Sequence, residues 1–196
     1  MIKLERGECP KELTKDVTID HFLPKSTNPD KVVDWENLFP ACLRCNREKG
    51  DYEGKIVNPC KDTPKDYIAL DSKSRYRLRG IDQAGIGKNT ITSIELNDIQ
   101  RLMVPRLKEW EDIHRRMTEI FEELEEGGYR ERYRNRFEIL MRECMSESSY
   151  AAVKATNMLD DDCYQSIKKY FITEGKWTNK LEMFEDELRE ISLRLI

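Results

Sequence analysis

The residues from Thr18 to Asp51 constrain this chain more than any other stretch. They set an Asp-His pair, two asparagines and a Cys-x-x-Cys within the length of one small module. Asp20-His21 stands in Thr18-Ile-Asp-His-Phe-Leu-Pro-Lys25, Asn37 in Asp34-Trp-Glu-Asn-Leu-Phe39, and Cys42-Leu-Arg-Cys-Asn46 leads into Arg47-Glu-Lys-Gly50. Hydrolysing a phosphodiester requires a water stripped of a proton, and a divalent ion to stabilise the charge that gathers on phosphate and leaving oxygen. A histidine suits the first task, since its unperturbed pKa lies near physiological pH and its neutral ring accepts a proton; here that residue is His21. Asp20 offers a hard oxygen suited to Mg²⁺ or Mn²⁺, and Asn46 a neutral oxygen that leaves the ion open to phosphate and water. Taken singly, each has a plainer role: a polar pair at a strand end, a turn asparagine, a structural or redox Cys-x-x-Cys. Only the set, in this order, is distinctive.

In this order the residues resemble the HNH endonuclease motif, in which an Asp-His pair ends one strand, an Asn lies in the following strand or loop, and Cys-x-x-Cys-Asn opens a helix. The resemblance implies an N-terminal ββα-metal module in which Asp20 and Asn46 hold the catalytic Mg²⁺ or Mn²⁺. It makes His21 the general base and assigns Asn37 to orienting the imidazole. Lys49, one helical turn beyond Asn46, is expected on a solvated helix face, with phosphate contact as the alternative. Cys42 and Cys45 fit a structural Zn²⁺ better than catalysis, because a thiolate pair at this spacing chelates one ion from the start of a helix. Two more ligands are needed, and many HNH proteins take them from a second Cys-x-x-Cys on a hairpin before the Asp-His pair. Before Asp20 this chain has only Cys9. Either Cys9 or Cys60 completes the knuckle or residues are missing between Val17 and Thr18, and the second alternative is the expectation.

Cys144 and Cys163 fall among apolar residues in helical patterns, as small core residues. No signal peptide or long uncharged apolar run is apparent, so a cytoplasmic, reducing location is expected and disulfides are a poor account of the six cysteines. Charge is uneven. Residues 1–71 carry 12 Lys/Arg and 14 Asp/Glu, residues 72–108 carry 8 and 3, and residues 109–196 carry 14 and 21. Phosphate contacts dominate nucleic-acid affinity, so an isolated nuclease is expected to be broadly basic; here only the middle segment is. Lys73, Arg75, Arg77 and Arg79 alternate, and an extended strand would present them on one side, as a phosphate track or as a solvated edge.

The fold class expected is α+β and mostly helical, with residues 1–96 as a nuclease module with short strands and residues 97–196 as a helical partner-docking region. Asn58-Pro-Cys-Lys-Asp-Thr-Pro64 reads as a turn-rich connection, and the segment to Leu96 as short strands, with Thr90-Ile-Thr-Ser-Ile-Glu-Leu96 the clearest by β-branched content. Asn97-Asp98 looks like a helix cap. Ile99, Leu102, Met103, Leu107, Trp110, Ile113, Met117, Ile120, Phe121 and Leu124 then follow the spacing of a long amphipathic helix, divided early by Pro105 and ended by Gly127-Gly128. Further helices are predicted over about 129–145, from Tyr150, after Asp160-Asp-Asp162, and over about 178–195. Tyr129, Tyr133 and Phe137 recur every four residues and read as a buried seam flanked by solvated arginines.

Beyond the motif, Asn58-Pro59, Thr90-Ile-x-x-Ile-x-Leu-Asn97, Arg106 and Ser148-Ser-Tyr-Ala-Ala152 look like the PtuB family of retron- and Septu-associated HNH endonucleases. That resemblance implies a bacterial anti-phage effector that works with an ABC-type ATPase subunit, PtuA-like, and in some systems beside a retron reverse transcriptase and its small DNA. It offers DNA or tRNA as substrate. Two rival functions stand beside it. One is a binding subunit whose HNH core has decayed into a scaffold, against which the full set Asp20, His21, Asn37 and Asn46 argues. The other is a restriction or homing enzyme acting alone, which the acidic helical half disfavours.

Overall fold

The computed structural model describes residues 17–196. Strand β1 (Val17–His21) pairs antiparallel with β2 (Leu38–Cys42), and helix α1 (Leu43–Lys49) follows directly. Cys42 caps that helix, its Sγ accepting the Cys45 amide at 3.3 Å. Gly50 ends it at φ +48°, in the left-handed region that favours glycine. This is the expected ββα module. The expected break between Val17 and Thr18 is absent: both are consecutive residues of β1, facing Cys42 and Ala41, and the register leaves no gap there for a hairpin. Cys9 lies outside the described residues.

A middle segment follows, with strands β3 (Ile68–Leu70) and β4 (Leu78–Gly80) and helix α2 (Ile86–Ser93). Here the sequence expectation fails, since Thr90 to Ser93 complete α2 and the chain then turns to Leu96. Asp82 initiates the helix by accepting the amides of Ile86 and Gly87 at 2.8 and 2.7 Å. The threonine hydroxyls bond back to the carbonyls four residues earlier, Thr90 to Ile86 and Thr92 to Lys88. Burial of Thr90 and Ile91 then outweighs their strand propensity.

The rest is helical: α3 (Val104–Gly127), α4 (Glu131–Arg142), α5 (Ala151–Leu159), α6 (Asp162–Thr173) and α7 (Asn179–Ile191). Pro105 sits in the first turn of α3, where its missing N–H costs nothing, after a π-helical turn over Ile99–Met103. Asp98 caps that turn by accepting the Arg101 amide, whereas Asn97 clamps both backbone groups of Leu78 at 2.9 Å. Tyr133 and Phe137 are buried in the helical core with Met117, Ile120, Tyr164 and Phe171, as the four-residue recurrence requires. A second core joins Val57, Ile68, Leu70, Leu78, Ile91 and Leu96 to Leu102, Tyr150, Val153 and Leu193, so it draws on residues from both sides of Asn97. The chain's last residues run parallel to β3, with Leu70 bridged to Leu195.

Candidate active site

The ββα geometry brings together the side chains that the motif holds apart in sequence. Asp20 and His21 stand at the end of β1, and α1 crosses behind them. From α1, the Asn46 amide nitrogen donates to Thr18 Oγ1 at 3.0 Å and to the Ile19 carbonyl at 3.2 Å. Three residues on, on the same helix face, Lys49 Nζ donates to Asp20 Oδ1 at 2.8 Å and to the His21 carbonyl at 2.6 Å. Thr18 completes the seam by donating to the Ala41 carbonyl at 3.3 Å. Helix and strand are thus joined by polar contacts made beside the reactive pair.

Lys49 is neither on a solvated face nor a free phosphate contact: its side chain is 3% exposed and its charge is matched by Asp20. Burial pushes the Asp20 carboxyl above the ordinary aspartate range, against the pull of the Lys49 ammonium. Spacing puts Lys49 on the Asn46 face, but its burial depends on how closely α1 lies on β1, which no local pattern encodes. Thr18 was missed for the same reason.

His21 Nε2 lies 3.1 Å from the Val32 carbonyl. A carbonyl only accepts, so this bond selects the tautomer with the proton on Nε2 and leaves Nδ1 as the basic nitrogen. Asn37 does not bond to the ring. Buried at the start of β2, its Oδ1 accepts the Leu23 amide at 2.7 Å, and its Nδ2 donates to the carbonyls of Leu23 and Lys31 at 3.2 and 3.1 Å. The Phe22 amide donates to the Asn37 carbonyl at 2.9 Å. Asn37 therefore fixes both limbs of the loop from Phe22 to Glu36, which carries the Val32 carbonyl to His21.

The donor chemistry fits a hard divalent cation. Both Asn46 bonds are made by its nitrogen, which leaves Oδ1 open to a cation, and Lys49 engages one of the two Asp20 oxygens. The zinc expected at Cys42 and Cys45 finds no full ligand set among the described residues. Arg101 Nη1 donates to Cys45 Sγ at 3.4 Å, and among the described residues no group of three or more His, Cys, Asp or Glu converges to hold a metal. The basic stretch is not a continuous phosphate track, because Arg75 pairs with Asp160 at 2.5 Å and Arg79 with Asp71 at 2.6 Å. No helix among the described residues is long and apolar enough to cross a membrane.

Comparison with known proteins agrees with this geometry. Residues 7–52 match the family model described as HNH endonuclease. Over 184 residues the chain is 32% identical to the Septu protein PtuB of Bacillus thuringiensis, an alignment covering 86% of this chain and 68% of that protein. No solved structure matches.

Proposed function

From the fact that this chain belongs to the PtuB family of Septu proteins and is an HNH endonuclease, we propose that it is a metal-dependent, cytoplasmic phosphodiesterase that serves bacterial anti-phage defence with an ABC-type ATPase subunit. The observation that supports the catalytic part is that one face of α1 bonds to β1 through Asn46 and Lys49 on either side of Asp20, next to His21. His21 Nδ1 takes the proton from the attacking water while Nε2 stays bonded to the Val32 carbonyl, which holds the ring in one tautomer. Asp20 and Asn46 would hold Mg²⁺ or Mn²⁺, which supplies charge stabilisation at the phosphate and the leaving oxygen. Asn37 orients the ring through the loop. Cys42 and Cys45 would supply two of the ligands of a structural zinc, with no part in the chemistry.

Partner docking is assigned to residues 97–196, supported by the acidic balance of the stretch from Glu109 and by the excess of helical surface over what a small nuclease module needs. A basic partner surface would strengthen the hold of so acidic a chain on phosphate. A fragment ending at Leu96 would cut through the second core, so charge reversal on exposed helix carboxylates is the cleaner docking test.

Copurified protein should cleave DNA or tRNA only with Mg²⁺ or Mn²⁺, and His21→Ala should slow cleavage by roughly 10²–10⁴-fold while retaining the partner. Undiminished cleavage by His21→Ala would overturn the assignment.

A further inference from the structure

Trp35 is 87% exposed and Val33 82%, both in the loop whose Val32 carbonyl touches His21. Scattered surface apolar residues are ordinary, but this pair is presented rigidly. Trp35 opens a short 3-10 turn, Asp34 caps it by accepting the Glu36 amide at 3.0 Å, and Asn37 pins the limbs below. The other two tryptophans, Trp110 and Trp177, pack against the helical core, and Trp35 has no ring partner among the described residues.

We propose that Trp35 is a stacking platform for an unpaired nucleobase next to the scissile phosphate, so that the enzyme acts on single-stranded or locally unpaired nucleic acid. The inference rests on the nuclease function proposed above and deepens it. An indole face accepts any base and so holds a strand without reading its sequence. Trp35 is three residues beyond Val32, a reach of at most about 11 Å, which keeps its ring within a few nucleotides of the imidazole. Local charge permits the approach. Glu36 is paired with Lys61 at 2.7 Å, and Lys25 and Lys31 of the same loop balance Asp30 and Asp34, the latter committed to its cap. A base paired in a duplex has its face covered by its neighbours, so stacking on Trp35 requires it to leave the helix.

The test uses the full chain carrying His21→Ala, without added divalent metal, so that cleavage is suppressed. Tryptophan emission is titrated with single-stranded DNA and RNA oligonucleotides and with their blunt duplexes. Single strands should quench the emission and bind more tightly than duplexes. Adding Trp35→Ala should abolish the quenching and weaken single-strand binding roughly tenfold or more, while Trp35→Phe should stay within about threefold. Unchanged single-strand affinity in Trp35→Ala, binding without quenching, equal preference for duplex, or no binding at all would overturn the proposal. Loss of the ATPase subunit in Trp35→Ala copurification would also overturn it, by making the loop a protein contact. Failure of the nuclease function itself reads separately, as wild-type protein that does not cleave or as cleavage that survives His21→Ala.

Discussion

Replacing Lys49 with methionine keeps the apolar stem in its buried slot and deletes the ammonium that bonds Asp20 Oδ1 and the His21 carbonyl. Removing one partner of a fully buried ion pair costs roughly 3–5 kcal/mol, because the remaining charge is stranded. Asp20 is less enclosed than Lys49, with side-chain exposures of 13% and 3%, so water recovers part of that loss. The expected destabilisation is therefore about 2–3 kcal/mol. Asp20→Asn should cost a similar amount by stranding the ammonium. The double variant should fall short of the sum of the two by about 1.5–3 kcal/mol, the range of a hydrogen bond to a charged group. Urea unfolding at pH 7, followed by circular dichroism and extrapolated linearly, measures all four proteins. If Lys49→Met lies within about 0.5 kcal/mol of wild type, or the two changes simply add, Lys49 behaves as a surface lysine and the packing of α1 on β1 described above is wrong.

Asn37→Ala should loosen the loop from Phe22 to Glu36 and lower kcat with little change in the metal concentration needed; a raised metal requirement would place Asn37 at the ion instead. Asp71 is held down to about 2, first by the Ser74 amide and then by Arg79. The unfolded chain therefore binds the extra proton between pH 3.8 and about 2, and the stability Asp71 contributes above that window is lost as pH falls through it. Asp71→Asn should flatten that part of the acid unfolding curve, and a curve unchanged by the substitution would contradict the bond network. Burial pushes the Cys144 thiol up to about 12, so it should resist iodoacetamide at pH 8 until the protein is unfolded. Mass-spectrometric mapping of labelled cysteines gives the answer, and rapid labelling of Cys144 in native protein would refute its burial.

What could be read from the sequence was the part in which chemistry and local geometry coincide. Asp20-His21 ends a strand and Cys42 opens a helix as the HNH resemblance implies, and the apolar spacing from Trp110 to Leu124 marks the core face of α3, whereas Ile99 precedes that helix and is exposed. Thr90-Ile-Thr-Ser misled because β-branching records a preference for a half-buried surface, and here that surface belongs to a helix started by Asp82 from outside the pattern. The arginines of the middle segment read equally as a phosphate track or a solvated edge because the partner of Arg75, Asp160, is remote in sequence. The same remoteness hid the Lys49–Asp20 pair. In each case the missing information was a tertiary distance.

The parallel bridge between Leu70 and Leu195 also bears on the order in which the molecule is built. Leu70 bonds to Arg194 and Ile196 through its own amide and carbonyl, and the Ser72 amide bonds to the Ile196 carbonyl. These partners are separated by the entire helical region, so β3, which pairs with β4 locally, waits for the end of the described chain to leave the ribosome before its other edge is covered. Contacts of such long sequence separation form late. The ββα module emerges first, yet the middle segment that links it to the helices becomes complete only when Leu195 arrives. A truncated translation product would carry the nuclease residues on an unfinished support, and would be exposed to proteolysis at the middle segment before it could be held in its final form.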